Sequence, residues 1–185
     1  MIFETDRLIA RPWTLEDAHY ALRMYGDIEV MRYLGRNGAG AVIGSLEEMK
    51  ERLGKAIDKY GDSPEGYIYA ALVLKASGEP VGTALLKPLE LSSGEMSVDE
   101  IEIGWHLARD YWGQGLGAEC GYGVMRYGFE RLQVDELHAI AYPENIASLR
   151  IMQKIGMVHQ GSTDRYYGVK AEHYTIQRDS VSTTS

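Results

Sequence analysis

Apolar and polar residues alternate most regularly over residues 99–107, and this pattern predicts a β-strand. The strand has an apolar face, with Ile101, Ile103, Trp105 and Leu107, and a polar face, with Glu100, Glu102, Gly104 and His106. A glycine-rich stretch follows, and apolar residues then recur at helical spacing over 118–132. A strand, a glycine-rich turn and a helix in this order form a layout that binds phosphate groups.

Shorter patterns of the same kind predict the remaining elements. Further strands are expected at residues 5–11, 67–74, 81–86, 137–142, 157–161 and 171–177, and helices at 14–25, 28–34, 45–60 and 145–155. Residues 35–44 contain four glycines and predict a loop, which either faces a substrate or only connects two helices. Residues 92–98 predict a connector. Gly104, alone inside a strand, predicts a β-bulge.

The glycine-rich turn runs from Trp112 to Gly117 and is compatible with more than one phosphate ligand. Glycines let the backbone approach the ligand, and the free N–H groups of the following helix attract negative charge. A dinucleotide site requires an acidic residue at the far end of the next strand, whereas Asp135 and Glu136 precede that strand. A P-loop requires Lys followed by Ser or Thr after the glycines, and the chain has neither there.

The turn resembles the acyl-CoA-binding motif of the GNAT superfamily of N-acetyltransferases, in particular the branch that includes the ribosomal-protein alanine acetyltransferases. The family motif is Arg/Gln-x-x-Gly-x-Gly/Ala, and this chain has Trp112 in the first position, followed by Gly115 and Gly117. Further stretches resemble the same branch in the family's order, at residues 8–13, 102–105, 145–157 and 174–176. Together the matches extend over residues 5–178.

This resemblance implies an α/β (α+β) GNAT fold, with a mixed, mostly antiparallel, twisted sheet of about seven strands and about four helices. Two central parallel strands, here 99–107 and 137–142, are expected to splay apart so that the pantetheine arm of acetyl-CoA enters the gap. Acetyl-CoA is therefore the expected cosubstrate. The residues expected to bind it are Leu107, Trp112, Gly113, Gln114, Gly115, Leu116, Gly117, Ala118 and Asn145.

Acyl transfer to an amine requires a base for the amine and a proton for the departing thiolate. Glu102 lies where the family often places a base that acts through water, although a strand carboxylate can also be simply solvated or ion-paired. Glu100 and His106 share its face and are rival bases, since an imidazole titrates near neutral pH. Ser148 and Tyr174 are candidate proton donors, with local hydrogen bonding and packing as the alternatives.

Two further residues also have structural explanations. Asn145 can bind pantetheine or a water molecule, and it can equally cap the helix that it precedes. Cys120 lies within a predicted helix and has no neighbouring His, which indicates a buried thiol rather than a nucleophile. As the only cysteine it excludes an internal disulfide and suits a reducing cytoplasm.

Length and charge narrow the classes of function. The 185 residues fit one domain, predicted at 1–179, with a flexible Ser/Thr-rich tail at 180–185. The net charge of −8 argues against nucleic-acid binding and is consistent with a cationic amine partner. No apolar run reaches the ~20 residues that span a membrane, and the start lacks the features of a signal peptide. No cluster at metal-ligand spacing is present, so no metal is expected.

The combined hypothesis is a cytoplasmic N-acetyltransferase that transfers acetyl from acetyl-CoA to a primary amine by direct attack in a ternary complex. The acceptor, either a protein N-terminus or a small-molecule amine, stays open, as does the choice between monomer and homodimer. The alternative is a non-catalytic acyl-CoA-binding regulator on the same fold. No membrane partner is expected.

Overall fold

The backbone of residues 1–35 and 40–181 is described by a computed structural model, and it forms a mixed sheet with helices on both faces. The described strands are β1 (Phe3–Glu4), β2 (Leu8–Pro12), β3 (Ile68–Leu74), β4 (Pro80–Glu90), β5 (Met96–Leu107), β6 (Glu136–Ala141), β7 (Val158–Thr163) and β8 (Ala171–Gln177). The described helices are α1 (Ala18–Tyr25), α2 (Ile28–Met31), α3 (Leu46–Tyr60), α4 (Leu116–Leu132), α5 (Ile146–Lys154) and α6 (Arg178–Val181), with 3₁₀ turns at Leu15–Asp17 and Arg109–Tyr111.

The strands follow the order β1-β2-β3-β4-β5-β6-β8-β7 in one sheet. Every neighbouring pair is antiparallel except β5 and β6, which are parallel. The parallel pair is joined only at Glu102 and His138, and β5 continues beyond that point to Leu107 without a partner on its β6 side. The sheet therefore opens into a gap at its centre, as the GNAT resemblance implies.

Two hydrophobic cores lie on opposite faces of the sheet. The first packs α4 and α5 against the apolar face of β5, including Ile101 and Ile103. The second packs α1 and α3 against β3, including Tyr25 and Ala71. The alternation in the sequence of β5 thus separates a core face from the face that carries Glu102 and His106.

The predicted fold class is confirmed, with eight described strands in place of about seven and six helices in place of about four. The extra strand is β1, which precedes the predicted strand 5–11, and the first residues of that prediction form a turn instead. The backbone N–H of Thr5 donates to the carbonyl of Leu8 (2.9 Å), so the chain turns back and β1 pairs with β2. The capping residues Ser45 and Asn145 accept hydrogen bonds from Glu48 and Ser148, as their helices require.

Two local predictions are wrong. The register between β4 and β5 runs unbroken past Gly104, and the irregularity lies between Pro88 and Glu90 instead. Residues 96–98 belong to β5 rather than to a connector, because β4 continues to Glu90 and supplies them with a partner. Ser180 and Val181 of the predicted tail lie in α6, where the Ser180 hydroxyl donates to the carbonyl of Gln177 (2.6 Å), and the flexible tail stays a prediction. Residues 36–39 and 182–185, within the predicted loop and tail, lie outside the described residues.

Candidate active site

The glycine-rich turn lies at the open end of the β5–β6 gap and leads into α4. Gly113 and Gly115 have φ angles of +72° and +79°, which favour glycine over every residue with a side chain. Gly115 is the N-cap of α4, so the first N–H groups of this 17-residue helix are directed towards the turn. The arrangement offers backbone donors and a positive helix end to a phosphate.

A cavity of about 610 Å³ extends from this turn along the gap; we call it the turn cavity. Of the nine residues predicted to bind acetyl-CoA, eight line it: Leu107, Trp112, Gly113, Gly115, Leu116, Gly117, Ala118 and Asn145. Gln114 does not line it, because its side chain donates to the carbonyl of Asp110 (2.9 Å). Its own carbonyl accepts from Arg7 (2.9 Å), so Gln114 braces the turn from outside the cavity.

Gly117 lacks a side chain because of helix packing, whereas Gly113 and Gly115 have positive φ angles. A Cβ added to it would lie 2.6 Å from Cδ1 of Ile151 in α5. The missing side chain therefore allows α4 and α5 to approach each other, and a substitution there would disturb packing before it reached a ligand.

A second cavity of about 340 Å³ lies on the face of the sheet that carries Glu102; we call it the Glu102 cavity. Its charged residues are Arg52, Lys87, Glu90 and Glu102. The two cavities share six lining residues, which are Tyr33, Leu34, Trp105, His106, Asn145 and Ser148. They meet along these residues, so a ligand in one cavity can contact a ligand in the other.

Glu102 is buried and engaged by two side chains that the sequence analysis did not single out. Nζ of Lys87 lies 3.1 Å from its carboxylate, and the hydroxyl of Tyr167 donates to it over 2.5 Å. Burial alone would lower the pKa of Lys87, but Glu102 and Tyr167 outweigh it and hold that pKa above its usual value. Burial and the Glu102 charge raise the pKa of Tyr167 above its usual value. At neutral pH Lys87 is therefore an ammonium and Tyr167 a neutral phenol.

Two proton-donor candidates lie in different places. Ser148 lines both cavities in the first turn of α5, where its backbone N–H donates to the side chain of Asn145 (3.2 Å). Tyr174 lines neither cavity. Its ring is buried in the first core, and its hydroxyl accepts from Gln153 (3.3 Å), because β8 is separated from the gap by β6. The structure therefore brings Ser148 to the site and leaves Tyr174 as a packing residue.

The rival bases are also separated. Glu100 lines neither cavity and accepts hydrogen bonds from Arg165 (2.8 Å) and Tyr166 (2.9 Å). His106 lines both cavities, and its Nδ1 lies 3.1 Å from the hydroxyl of Tyr25. Burial, with the positive charges of Arg52 and Lys87 nearby, lowers the pKa of His106 to about 4. The ring is therefore neutral at pH 7, and a base of that pKa accepts protons poorly at that pH.

Cys120 is buried, and burial raises the pKa of its thiol well above the usual range. Across residues 1–35 and 40–181, no three His, Cys, Asp or Glu side chains are grouped so as to hold a metal ion. In the same part of the chain, no helix has the length and apolar character needed to cross a bilayer.

This chain is similar to known proteins in sequence and in fold. The "Uncharacterized N-acetyltransferase p20" of Bacillus licheniformis is 25% identical over 167 residues, which cover 90% of this chain and 87% of that protein. AAC(6')-Ib, solved with ribostamycin and coenzyme A, has a TM-score of 0.74 at 20% identity, covering 97% of this chain and 98% of that one.

A third similar protein bears on the predicted branch. The ribosomal-protein-S5-alanine acetyltransferase of Vibrio fischeri has a TM-score of 0.71 at 15% identity, with 96% of each chain covered. Both solved structures share the fold, and at these identities they show the fold alone. The family model described as "Acetyltransferase (GNAT) domain" matches residues 7–158, more than half of the chain. The chain therefore belongs to the GNAT acetyltransferase family.

Proposed function

We propose that this protein is an N-acetyltransferase that transfers the acetyl group of acetyl-CoA to a primary amine by direct attack in a ternary complex. The observation that carries the proposal is the junction of the turn cavity with the Glu102 cavity. The first offers a phosphate-binding turn, and the second offers charged side chains to an amine. A non-catalytic acyl-CoA-binding regulator would need only the first cavity, so the second favours an enzyme.

Acetyl-CoA fits the turn cavity in its chemistry. The phosphates would bind to the N–H groups around Gly113 and Gly115, and the pantetheine would extend along the unpaired edge of β5 towards Glu102. The side chain of Trp112 donates to the carbonyl of Leu107 (2.8 Å), which fixes the corner between the strand and the turn. The presence of coenzyme A in the complex of AAC(6')-Ib supports this cosubstrate.

The reaction we propose moves one acetyl group and one proton. The lone pair of the neutral amine attacks the thioester carbon and forms the C–N bond. The C–S bond then breaks, and its electron pair leaves on sulfur. Glu102 takes the proton of the amine through a water molecule, and Ser148 gives its own proton to the thiolate. The proton held by Glu102 returns through water to Ser148, so that one proton passes from the amine to sulfur overall. Lys87 and Tyr167 hold the carboxylate of Glu102 in one orientation.

The acceptor belongs to one of two classes, a small-molecule amine or a protein N-terminus. The structure with ribostamycin represents the first class and the ribosomal-protein-S5-alanine acetyltransferase the second. The latter neighbour supports a place for this chain in the ribosomal-protein alanine acetyltransferase branch. A cytoplasmic location and a monomeric or homodimeric state stay predictions.

The direct test is a screen of amine acceptors that measures release of free CoA. Aminoglycosides, amino acids, polyamines and peptides with free N-termini would each be incubated with the protein and acetyl-CoA. We expect CoA release to require both acetyl-CoA and one class of amine. A thermal shift by acetyl-CoA but not by NADH would show the cosubstrate site independently. Binding of acetyl-CoA with no CoA release for any amine would instead indicate the regulator.

A further inference from the structure

The hydroxyl of Tyr25 joins side chains from three strands at one side of the Glu102 cavity. It lies 2.5 Å from the hydroxyl of Tyr69 on β3, 2.8 Å from that of Thr83 on β4 and 3.1 Å from Nδ1 of His106 on β5. Tyr25 and Thr83 have no exposed surface. We call these four residues the Tyr25 cluster. Because water does not reach the Tyr25 hydroxyl, this hydroxyl must find all of its hydrogen-bond donors and acceptors within the cluster.

One proton arrangement suits the chemistry of these groups best. A hydroxyl donates one hydrogen bond and accepts two, and the Tyr25 hydroxyl has three partners. A phenol is a stronger acid than an imidazole N–H, and an imidazole nitrogen is a stronger base than a phenol oxygen. Tyr25 therefore donates to Nδ1 of His106 and accepts from Tyr69 and Thr83. The proton of the neutral imidazole then lies on Nε2.

The charges around His106 keep it in this neutral form. The guanidinium of Arg52 lies 5.2 Å from the centre of the Tyr25 ring, and Lys87 lines the same cavity. Both positive charges disfavour a second proton on the imidazole, and burial acts in the same direction. Neither ring nitrogen is then free to act as a base, because Nδ1 accepts from Tyr25 and Nε2 already carries a proton.

His106 and Glu102 also lie at different positions along β5. The two residues lie on one face of β5, four residues and therefore about 13 Å apart along the strand. Gly104 lies between them, and the side chain of Leu85 packs close to it, with Cδ1 3.0 Å from where a Cβ of Gly104 would lie. Both Glu102 and His106 line the Glu102 cavity, so a substrate in it would have one side chain at each end.

We propose that His106 is a hydrogen-bond donor, through Nε2–H, to the thioester carbonyl oxygen as this oxygen gains negative charge. Tyr25 is a positioning residue that fixes the tautomer, with Tyr69 and Thr83 behind it. The role involves no proton transfer by His106 and differs from that of a base. The inference rests on the proposed acetyl transfer, in which such a carbonyl oxygen develops charge when the amine attacks.

Two substitutions at one position separate a donor from a base. His106→Gln keeps an N–H group near the position of Nε2 but cannot take up a proton. We expect it to retain kcat within about tenfold of the wild type, whereas His106→Ala loses about 10²–10³-fold. The pH–rate profile should keep its shape in the Gln variant, and the Kd for acetyl-CoA should stay near the wild-type value in both. Equal loss in both variants, with a changed pH profile, would overturn the proposal.

The tautomer has its own spectroscopic test, which does not depend on turnover. In protein labelled with ¹⁵N-histidine, the NMR signals of His106 at pH 7 should show a protonated Nε2 and an unprotonated Nδ1. Tyr25→Phe should give a mixture of tautomers and lower kcat with little change in KM. A wild-type spectrum with the proton on Nδ1, or with both nitrogens protonated, would contradict the inference. Failure of every amine in the acceptor screen would count against the proposed function and with it the donor role, whereas the wrong tautomer in an active enzyme would overturn the donor role alone.

Discussion

At the scale of single residues, the most informative side chain is Glu102, because its surroundings differ from those of a solvated strand carboxylate. Lys87 and Tyr167 both engage its carboxylate and enclose it. In the proposed reaction this fixes the direction from which the carboxylate meets a water molecule. The pair with Lys87 also links catalysis to stability, since loss of either partner leaves the other charge buried.

The first prediction concerns Glu102→Gln. We expect kcat/KM to fall by about 10²–10⁴-fold while the Kd for acetyl-CoA changes little, because backbone groups hold that substrate. The rise of activity with pH should move towards the pKa of the free amine. The free energy of unfolding should fall by up to about 3 kcal/mol, because Lys87 loses its counter-ion.

Two control variants make this prediction specific. Glu100→Gln alters a carboxylate on the same face of the same strand that lines neither cavity, and it should keep near-full activity. Adding Lys87→Met to Glu102→Gln should recover stability without recovering activity. Near-full activity of the single Glu102 variant would show that the transfer proceeds by proximity alone on an amine that is already neutral.

At the scale of elements, the strand–turn–helix unit from β5 to α4 combines two kinds of glycine. All three glycines of the turn line the turn cavity, but Gly113 and Gly115 have positive φ angles, whereas Gly117 is packed against Ile151. In the sequence, the three glycines are parts of one motif and cannot be told apart. The structure divides them into positions that concern the ligand and a position that concerns the packing of two helices.

The second prediction uses a matched pair of turn glycines. Gly113 and Gly78 have φ angles of +72° and +73°, and a Cβ at either would have no heavy atom within 4 Å. Substitution of either by Ala therefore costs a similar backbone strain, about 1 kcal/mol. Only Gly113→Ala places its Cβ in the turn cavity, so we expect a tenfold or greater rise in the Kd for acetyl-CoA for that variant alone. Isothermal titration and melting curves of both variants measure this, and equal Kd values would place the phosphates elsewhere.

At the scale of the whole molecule, the buried histidines link stability to pH. Burial lowers the pKa of His106, His138 and His173, and Nδ1 of His138 lies 3.0 Å from Nε2 of His173. Below pH about 6.5 the unfolded chain binds protons that the folded chain excludes, so its stability decreases. The decrease ends once the folded imidazoles are also protonated, near pH 4 for His106.

The third prediction follows from this linkage. The free energy of unfolding, measured with urea between pH 7.5 and 4.5, should be constant above about pH 7 and should fall below about 6.5. The double variant His138→Phe/His173→Phe should show a smaller fall over the same interval. The paired carboxylates Asp17 and Glu119 have lowered pKa values, and their contribution to stability is lost only below about pH 5, so the fall between pH 7 and 5 reports on the histidines. A wild-type stability that is flat down to pH 5 would contradict the prediction.

Much of this molecule is determined by local sequence. Alternating residues define β5 and its two faces, because side chains of a strand alternate by geometry alone. Ser45 and Asn145 cap their helices, and Gly156 ends α5 with a φ angle of +88°. These features depend on neighbours a few residues away. The order of short motifs then indicated the family, and with it the open central pair of strands.

The contents of the site were decided by the tertiary structure. The register of β4 against β5 places Lys87 opposite Glu102, and the segment before β8 brings in Tyr167, which is 65 residues from Glu102 in sequence. Tyr25 reaches His106 across 81 residues. The prediction of a bulge at Gly104 was wrong for the same reason, because the pairing of a strand depends on its partner as well as on its own sequence. Strand order and register determine such contacts. A local pattern of residues specifies neither of them, and a shift of the register by one residue would exchange the two faces of a strand.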